Sequence, residues 1–143
     1  MVDFKENLGR HIVLSGRHLA RLVAKKLERF GIGAGQYPYV FALFIEDGQS
    51  QQSLSKKLAV DKAAAARAVK KLAEAGYVRR EPDKNDTRSF RVFLNPKARL
   101  ARKKLEKAVE EVLLELEKGL TADECARAKR IMRKIAENLL RTE

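Results

Sequence analysis

Between Ser50 and Arg80 the chain reads SQQSLSKKLAVDKAAAARAVKKLAEAGYVRR, and this stretch decides the fold. Ser50 is a good N-cap, because its hydroxyl can take a free amide of a first helical turn, and Leu54 and Leu58 then share one face of a short helix. Ala59-Val60 leads into a turn. Asp61 can cap a second helix, in which Ala65, Val69 and Leu72 point one way and Lys62, Ala63, Ala66, Arg67 and Lys70 point the other. Ala75-Gly76 ends that helix, glycine serving as the left-handed residue after its last turn. Two short helices a few residues apart, the second basic on its exposed face, make a helix-turn-helix.

Immediately downstream the period changes. Tyr77–Glu81 and Ser89–Leu94 read as two short strands separated by Pro82-Asp83-Lys84-Asn85-Asp86-Thr87, which is rich in turn formers. A helix-turn-helix followed by a hairpin with basic flanks is a winged-helix unit. Upstream, Leu8, Ile12, Leu19, Leu22, Val23, Leu27 and Phe30 recur at helical spacing, so an amphipathic helix is predicted from Leu8 to Phe30. The run GIGAG at 31–35 breaks it, and a second helix begins near Pro38 and stops at Asp47-Gly48. On the far side, Asn95-Pro96 starts a long helix through Leu100, Leu105, Ala108, Val109, Val112, Leu113 and Leu116. A last helix opens on a Thr121/Glu124 capping box and aligns Cys125, Ala128, Ile131, Met132, Ile135 and Leu139 on one face. The expected fold class is mainly α with a small β-hairpin wing, in one domain over 1–143. Residues 36–95 form the winged helix-turn-helix lobe, and the helices of 1–35 and 96–143 need a partner, for which a second copy is the simplest candidate.

Charge points the same way. The 143 residues carry a formal net charge of +12, and the segment from Lys62 to Lys104 holds +10 of it, with 14 basic and four acidic residues. Such a concentration is the electrostatic footprint expected for a polyanion partner. The single cysteine, Cys125, leaves no intramolecular disulfide and no cysteine-rich zinc site. No apolar run approaches the ~20 residues of a membrane span, and the charged opening MVDFKENLGRH has no signal-peptide pattern, so cytoplasmic residence without membrane binding is expected. No Gly-rich phosphate loop, metal-spaced His/Cys cluster or nucleophile motif is present, so neither enzymatic activity nor a cofactor or metal is expected.

Three stretches resemble the MarR family of bacterial and archaeal transcription regulators: Leu54–Lys62, Val69–Arg80 and the wing Asp83–Arg88 with its Asp-x-Arg. The resemblance implies an obligate homodimer held by the first and last two helices, binding double-stranded DNA. It places a recognition helix near Asp61–Ala75 in the major groove and Arg88 at the minor groove, its guanidinium fixed by Asp86. The DNA-contacting set is then Lys62, Ala63, Ala66, Arg67, Lys70, Lys71, Arg80, Lys84, Asp86 and Arg88. The chain departs from the family at Ala63-Ala64-Ala65-Ala66, where small hydroxyl residues are usual. Alanine can meet a thymine methyl but cannot hydrogen-bond a base edge. Base reading falls to Lys62, Arg67 and Lys70, with modest sequence discrimination and steep salt dependence. A second departure, Leu94–Ala98 in place of the family's Thr and Gly, keeps a cap and a helix start.

The resemblance further implies a repressor relieved by a small aromatic or phenolic anion. Candidate lining residues are His11, Arg17, His18, Arg21 and Tyr37; packing of both histidines at a dimer interface is an equally good account of them. A redox role would need a reactive thiol, whereas Cys125 on an apolar face reads as buried and inert. A second function class, a weakly sequence-specific architectural DNA-binding protein, is compatible with the alanine run and the charge.

Overall fold

A computed structural model describes residues 1–142. Ten elements follow one another: α1 (Leu8–Leu27) with a short 3-10 turn (Glu28–Phe30), α2 (Tyr37–Ile45), β1 (Gln49–Ser50), α3 (Gln51–Lys57), α4 (Lys62–Glu74), β2 (Val78–Pro82), β3 (Phe90–Leu94), α5 (Pro96–Glu117) and α6 (Ala122–Leu140). Two units are distinguished, Met1–Val112 and the residues from Leu113 onward. Among the described residues no helix is long and apolar enough to cross a membrane.

In the first unit the core gathers one face of every helix: Leu27 of α1, Val40 and Leu43 of α2, Leu54 of α3, Val69 and Leu72 of α4, and Leu105 of α5. Val78 of β2 and Val92 of β3 close it from the sheet. The expected caps form. Ser50 Oγ accepts from the amide of Ser53, and Asp61 Oδ1 from that of Ala64. Asn7 caps α1 by accepting from the amide of Arg10, a cap the apolar periodicity did not reveal.

Several features depart from the sequence reading, among them the strand limits, which run Val78–Pro82 and Phe90–Leu94 where the sequence predicts Tyr77–Glu81 and Ser89–Leu94. The predicted first helix continues only to Leu27 before its last turn tightens to 3-10 geometry, and Gly31 terminates it with φ of 71°. Tyr77 precedes its strand instead of opening it, because its ring is buried and its hydroxyl donates to the carbonyl of Phe30. The hairpin gains a third strand: β1 pairs antiparallel with β3 (Gln49↔Val92, Ser50↔Arg91), giving the order β1-β3-β2. Two residues are too short to show a period of two. What admits β1 is Gly48, with φ of 72° and no room for a side chain, since a Cβ there would lie 2.7 Å from the Phe93 ring.

In the second unit, α6 starts with the predicted capping box, Thr121 Oγ1 accepting from Glu124 N and Glu124 Oε1 from Thr121 N. No residue of α6 is buried. Ile131, Met132, Leu139 and Leu140 are about half exposed or more, as are Leu113, Leu114, Leu116 and Leu120 before it. Cys125 is half-buried, not enclosed as its apolar neighbours suggested.

Candidate nucleic-acid interface

Helix α4 is held by its turn and its buried side. Ala59 takes a left-handed φ of 53° between α3 and α4, and Ser55 Oγ donates to the carbonyl of Val60 at 2.7 Å, fixing the turn from inside. Ala65, Ala68, Val69 and Leu72 are buried, so the remaining faces are set by helical geometry. Lys62, Ala63, Arg67, Lys70 and Lys71 are exposed and Ala66 is half-buried.

The wing rises from β2 and β3, whose last pair is Pro82↔Phe90. Beyond it Asp83 N donates to Ser89 O and Ser89 N to Asp86 O, both through the backbone. The carboxylate of Asp86 accepts from the backbone amide of Arg88 at 3.1 Å, while the Arg88 Nε lies 3.8 Å away and its side chain is 95% exposed. Asp86 therefore shapes the turn more than it clamps the guanidinium. Arg80 lies over the Phe90 ring, 5.6 Å from its centroid, which holds its guanidinium against the neighbouring strand.

One cleft of about 270 Å³ brings the two parts together. It is lined by Lys62 and Ala65 of α4, by Asp86, Arg88, Ser89 and Phe90 of the wing, and by Gln51 and Gln52 of α3. Gln51 Oε1 is buried there without a hydrogen-bond partner among the described residues, an acceptor the sequence reading missed. Arg67 and Lys71 line a separate cleft of about 410 Å³ with Tyr39 at its wall. Burial raises the Tyr39 phenol above its ordinary range, the Asp61 charge adds to this and the Arg67 charge opposes it. Ala63, Ala66, Lys70, Arg80 and Lys84 line neither cleft.

Ion pairing sorts the cations of the middle third. Arg79 is paired with Glu81, Arg91 with Asp83, Arg99 with Asp47 and Arg102 with Glu106. Lys97 donates to the carbonyl of Ala75. Among the described residues, Lys62, Arg67, Lys70, Lys71, Arg80 and Lys84 have no carboxylate within ion-pair reach, nor do Lys103 and Lys104 of α5, and Arg88 has only the 3.8 Å approach. Charge runs alone do not distinguish the two groups; the distinction needs the fold.

The residues suggested for an effector are not assembled in this chain. His11, Arg17, His18 and Arg21 are exposed on α1, with His11 hydrogen-bonded to Glu6. Tyr37 is half-buried on α2, 5.8 Å from the Phe41 ring, and burial raises its phenol. None of the five lines either cleft.

A family model described as MarR family matches residues 34–90. The chain is 30% identical over 129 residues to the multiple antibiotic resistance protein MarR of Salmonella typhimurium, covering 90% of this chain and 90% of that one. A MarR transcriptional regulator from Methanosarcina mazei Go1 superposes with a TM-score of 0.89 at 34% identity, over 95% of this chain and 98% of that one. A cysteine-to-serine mutant of MarR from E. coli, solved in complex with operator DNA, superposes with a TM-score of 0.81 at 29% identity, over 90% and 92% of the two chains. With likeness in sequence and in fold running along nearly the whole length, the chain belongs to the MarR family of transcription regulators.

Proposed function

We propose that this regulator is a homodimeric repressor that binds double-stranded DNA, with α4 in the major groove and the wing at the neighbouring minor groove. The observation that carries the reading is a shared cleft: Lys62 of α4 and Arg88 of the wing line it together, and Arg67, Lys70, Lys71, Arg80 and Lys84, each without a carboxylate partner among the described residues, lie on the same helix and hairpin, where a polyanion would complete them. Lys62, Arg67 and Lys70 read base edges, Ala63 and Ala66 meet thymine methyls, and Lys71, Arg80, Lys84 and Arg88 take the backbone. The complex of the E. coli relative with operator DNA supports double-stranded DNA as the partner. A second copy covers the apolar residues that α6 leaves in water, which supports the dimer.

A small aromatic anion relieves repression, held by His11, Arg17, His18, Arg21 and Tyr37 once the partner copy brings further walls to α1 and α2. The deciding experiment is selection of bound DNA from a random pool at two salt concentrations. Discrete pseudo-palindromic sites support a regulator of chosen promoters. Uniform recovery supports the second reading, an architectural protein, which the methyl-only face at Ala63 and Ala66 favours.

A further inference from the structure

Arg91 belongs by sequence to the basic footprint, yet its guanidinium is occupied at both ends. Its Nε lies 3.2 Å from Asp83 Oδ2, and its Nη1 donates to the carbonyl of Gly48 at 2.9 Å. Asp83 is only 7% exposed, at the base of a tip that is otherwise open. Its Oδ1 accepts from the amide of Asn85 at 2.9 Å, and its own amide donates to Ser89 across the hairpin. One carboxylate thus organises both sides of the tip, and one guanidinium ties that carboxylate to the turn before β1.

Past Pro82↔Phe90 the strand pairing ends, and of backbone-to-backbone bonds only those from Asp83 N to Ser89 O and from Ser89 N to Asp86 O tie the tip, so a short hairpin end of this kind gains from a side-chain anchor at its base. We propose that Arg91 is the positioning residue of the wing, acting through Asp83 to fix where Arg88 is presented and making no contact with DNA itself. The inference rests on the reading that the wing meets DNA. The planar fork matters, because it meets the two acceptors from two separate nitrogens at a fixed angle, whereas a lysine ammonium would have to reach both from one freely rotating nitrogen.

The test compares Arg91→Lys with Arg91→Gln, each alone and combined with Arg88→Ala, in DNA-binding titrations and in amide hydrogen exchange of the free protein. Both single variants are expected to weaken binding about tenfold, the scale of a lost charge-assisted hydrogen bond. In the Arg88→Ala background each should cost clearly less than in the unmodified protein, since Arg88 is gone and Lys84 is the one remaining DNA-contacting cation of the tip. Exchange at residues 83–90 should rise in both, with the helices unaffected. Wild-type binding by Arg91→Lys alongside a loss in Arg91→Gln would mark Arg91 as a plain charge contact and overturn the proposal, as would additive losses or unchanged exchange. If the unmodified protein binds no DNA in the selection, the DNA reading fails by itself, and the exchange data still decide whether Arg91 sets the wing.

Discussion

Asp47 and Arg99 meet across 52 residues of chain, with Arg99 Nη2 2.7 Å from Asp47 Oδ2, while the other carboxylate oxygen accepts the amide of Leu94 at 2.8 Å. The turn after α2 thereby holds the end of β3 and the first turns of α5 at once. The two partners differ in burial, the Asp47 side chain being 28% exposed and that of Arg99 63%. Asp47→Ala leaves the Leu94 amide without its acceptor and should lower stability by about 1–3 kcal/mol. Arg99→Ala removes only a largely solvated ion pair and should cost less than ~1 kcal/mol. Urea denaturation of the two variants measures the difference, and equal losses would assign the effect to the ion pair alone.

Arg67→Ala and Arg88→Ala should each weaken DNA binding; losing the Arg88 phosphate contact should reduce the slope of log affinity against log salt by about one, and losing Arg67 should relax the preference among bases. Size-exclusion elution should not change, because both side chains lie outside the apolar faces assigned to the dimer. Unchanged affinity in both variants removes the proposed reading face.

Asp61 has two separable roles. As the cap of α4 it accepts the Ala64 amide at 2.7 Å, so Asp61→Ala should destabilise by about 1 kcal/mol, whereas Asp61→Asn keeps a capping oxygen and should be nearly neutral. Both remove a negative charge from the start of the helix facing the groove. Tighter DNA binding by Asp61→Asn at low salt, with thermal midpoint retained, is the expected signature.

Stability should respond to alkaline pH through the phenols. Tyr37, Tyr39 and Tyr77 are all raised above the ordinary value of 10.0, burial being the first cause in each. Below that value both folded and unfolded chains keep the proton and these groups give no slope. Above it the unfolded chain ionises first, so stability falls as pH rises until the folded phenols titrate too. Urea midpoints at about pH 9 and about pH 11 measure the fall, and Tyr39→Phe should reduce it.

Ile131→Glu tests the second copy. The side chain is 52% exposed in the single chain, so a charge there should spare the fold, and a shift to monomer in light scattering with retained helical circular dichroism is expected. Dimer retention would show that α6 lies outside the contact.

The winged helix-turn-helix was legible because its signals are local: caps at Ser50 and Asp61, a left-handed glycine at Gly76, and a change of period after it. Strand β1 was not, since it exists through pairing with β3 and through the close approach of Gly48 to Phe93. The division of the cations followed the same rule. Nothing near Arg91 in sequence says that Gly48, 43 residues earlier, supplies its second acceptor. Asp83 did carry a signal, an acidic residue opening a turn after proline, which favours a side-chain bond to the backbone two residues on. Gln51 carried none, because only the fold brings it to the cleft that Asp86, Arg88, Ser89 and Phe90 also line.

The methyl-bearing positions of α4 have a consequence for how this protein can fail. Alanine has no rotamers to freeze, so bringing Ala63 and Ala66 against a surface costs no side-chain entropy. Such a helix has little to lose there by truncation and much to lose by growth. Along that strip the harmful substitutions are the bulky ones, which hold the helix axis away from whatever it must approach.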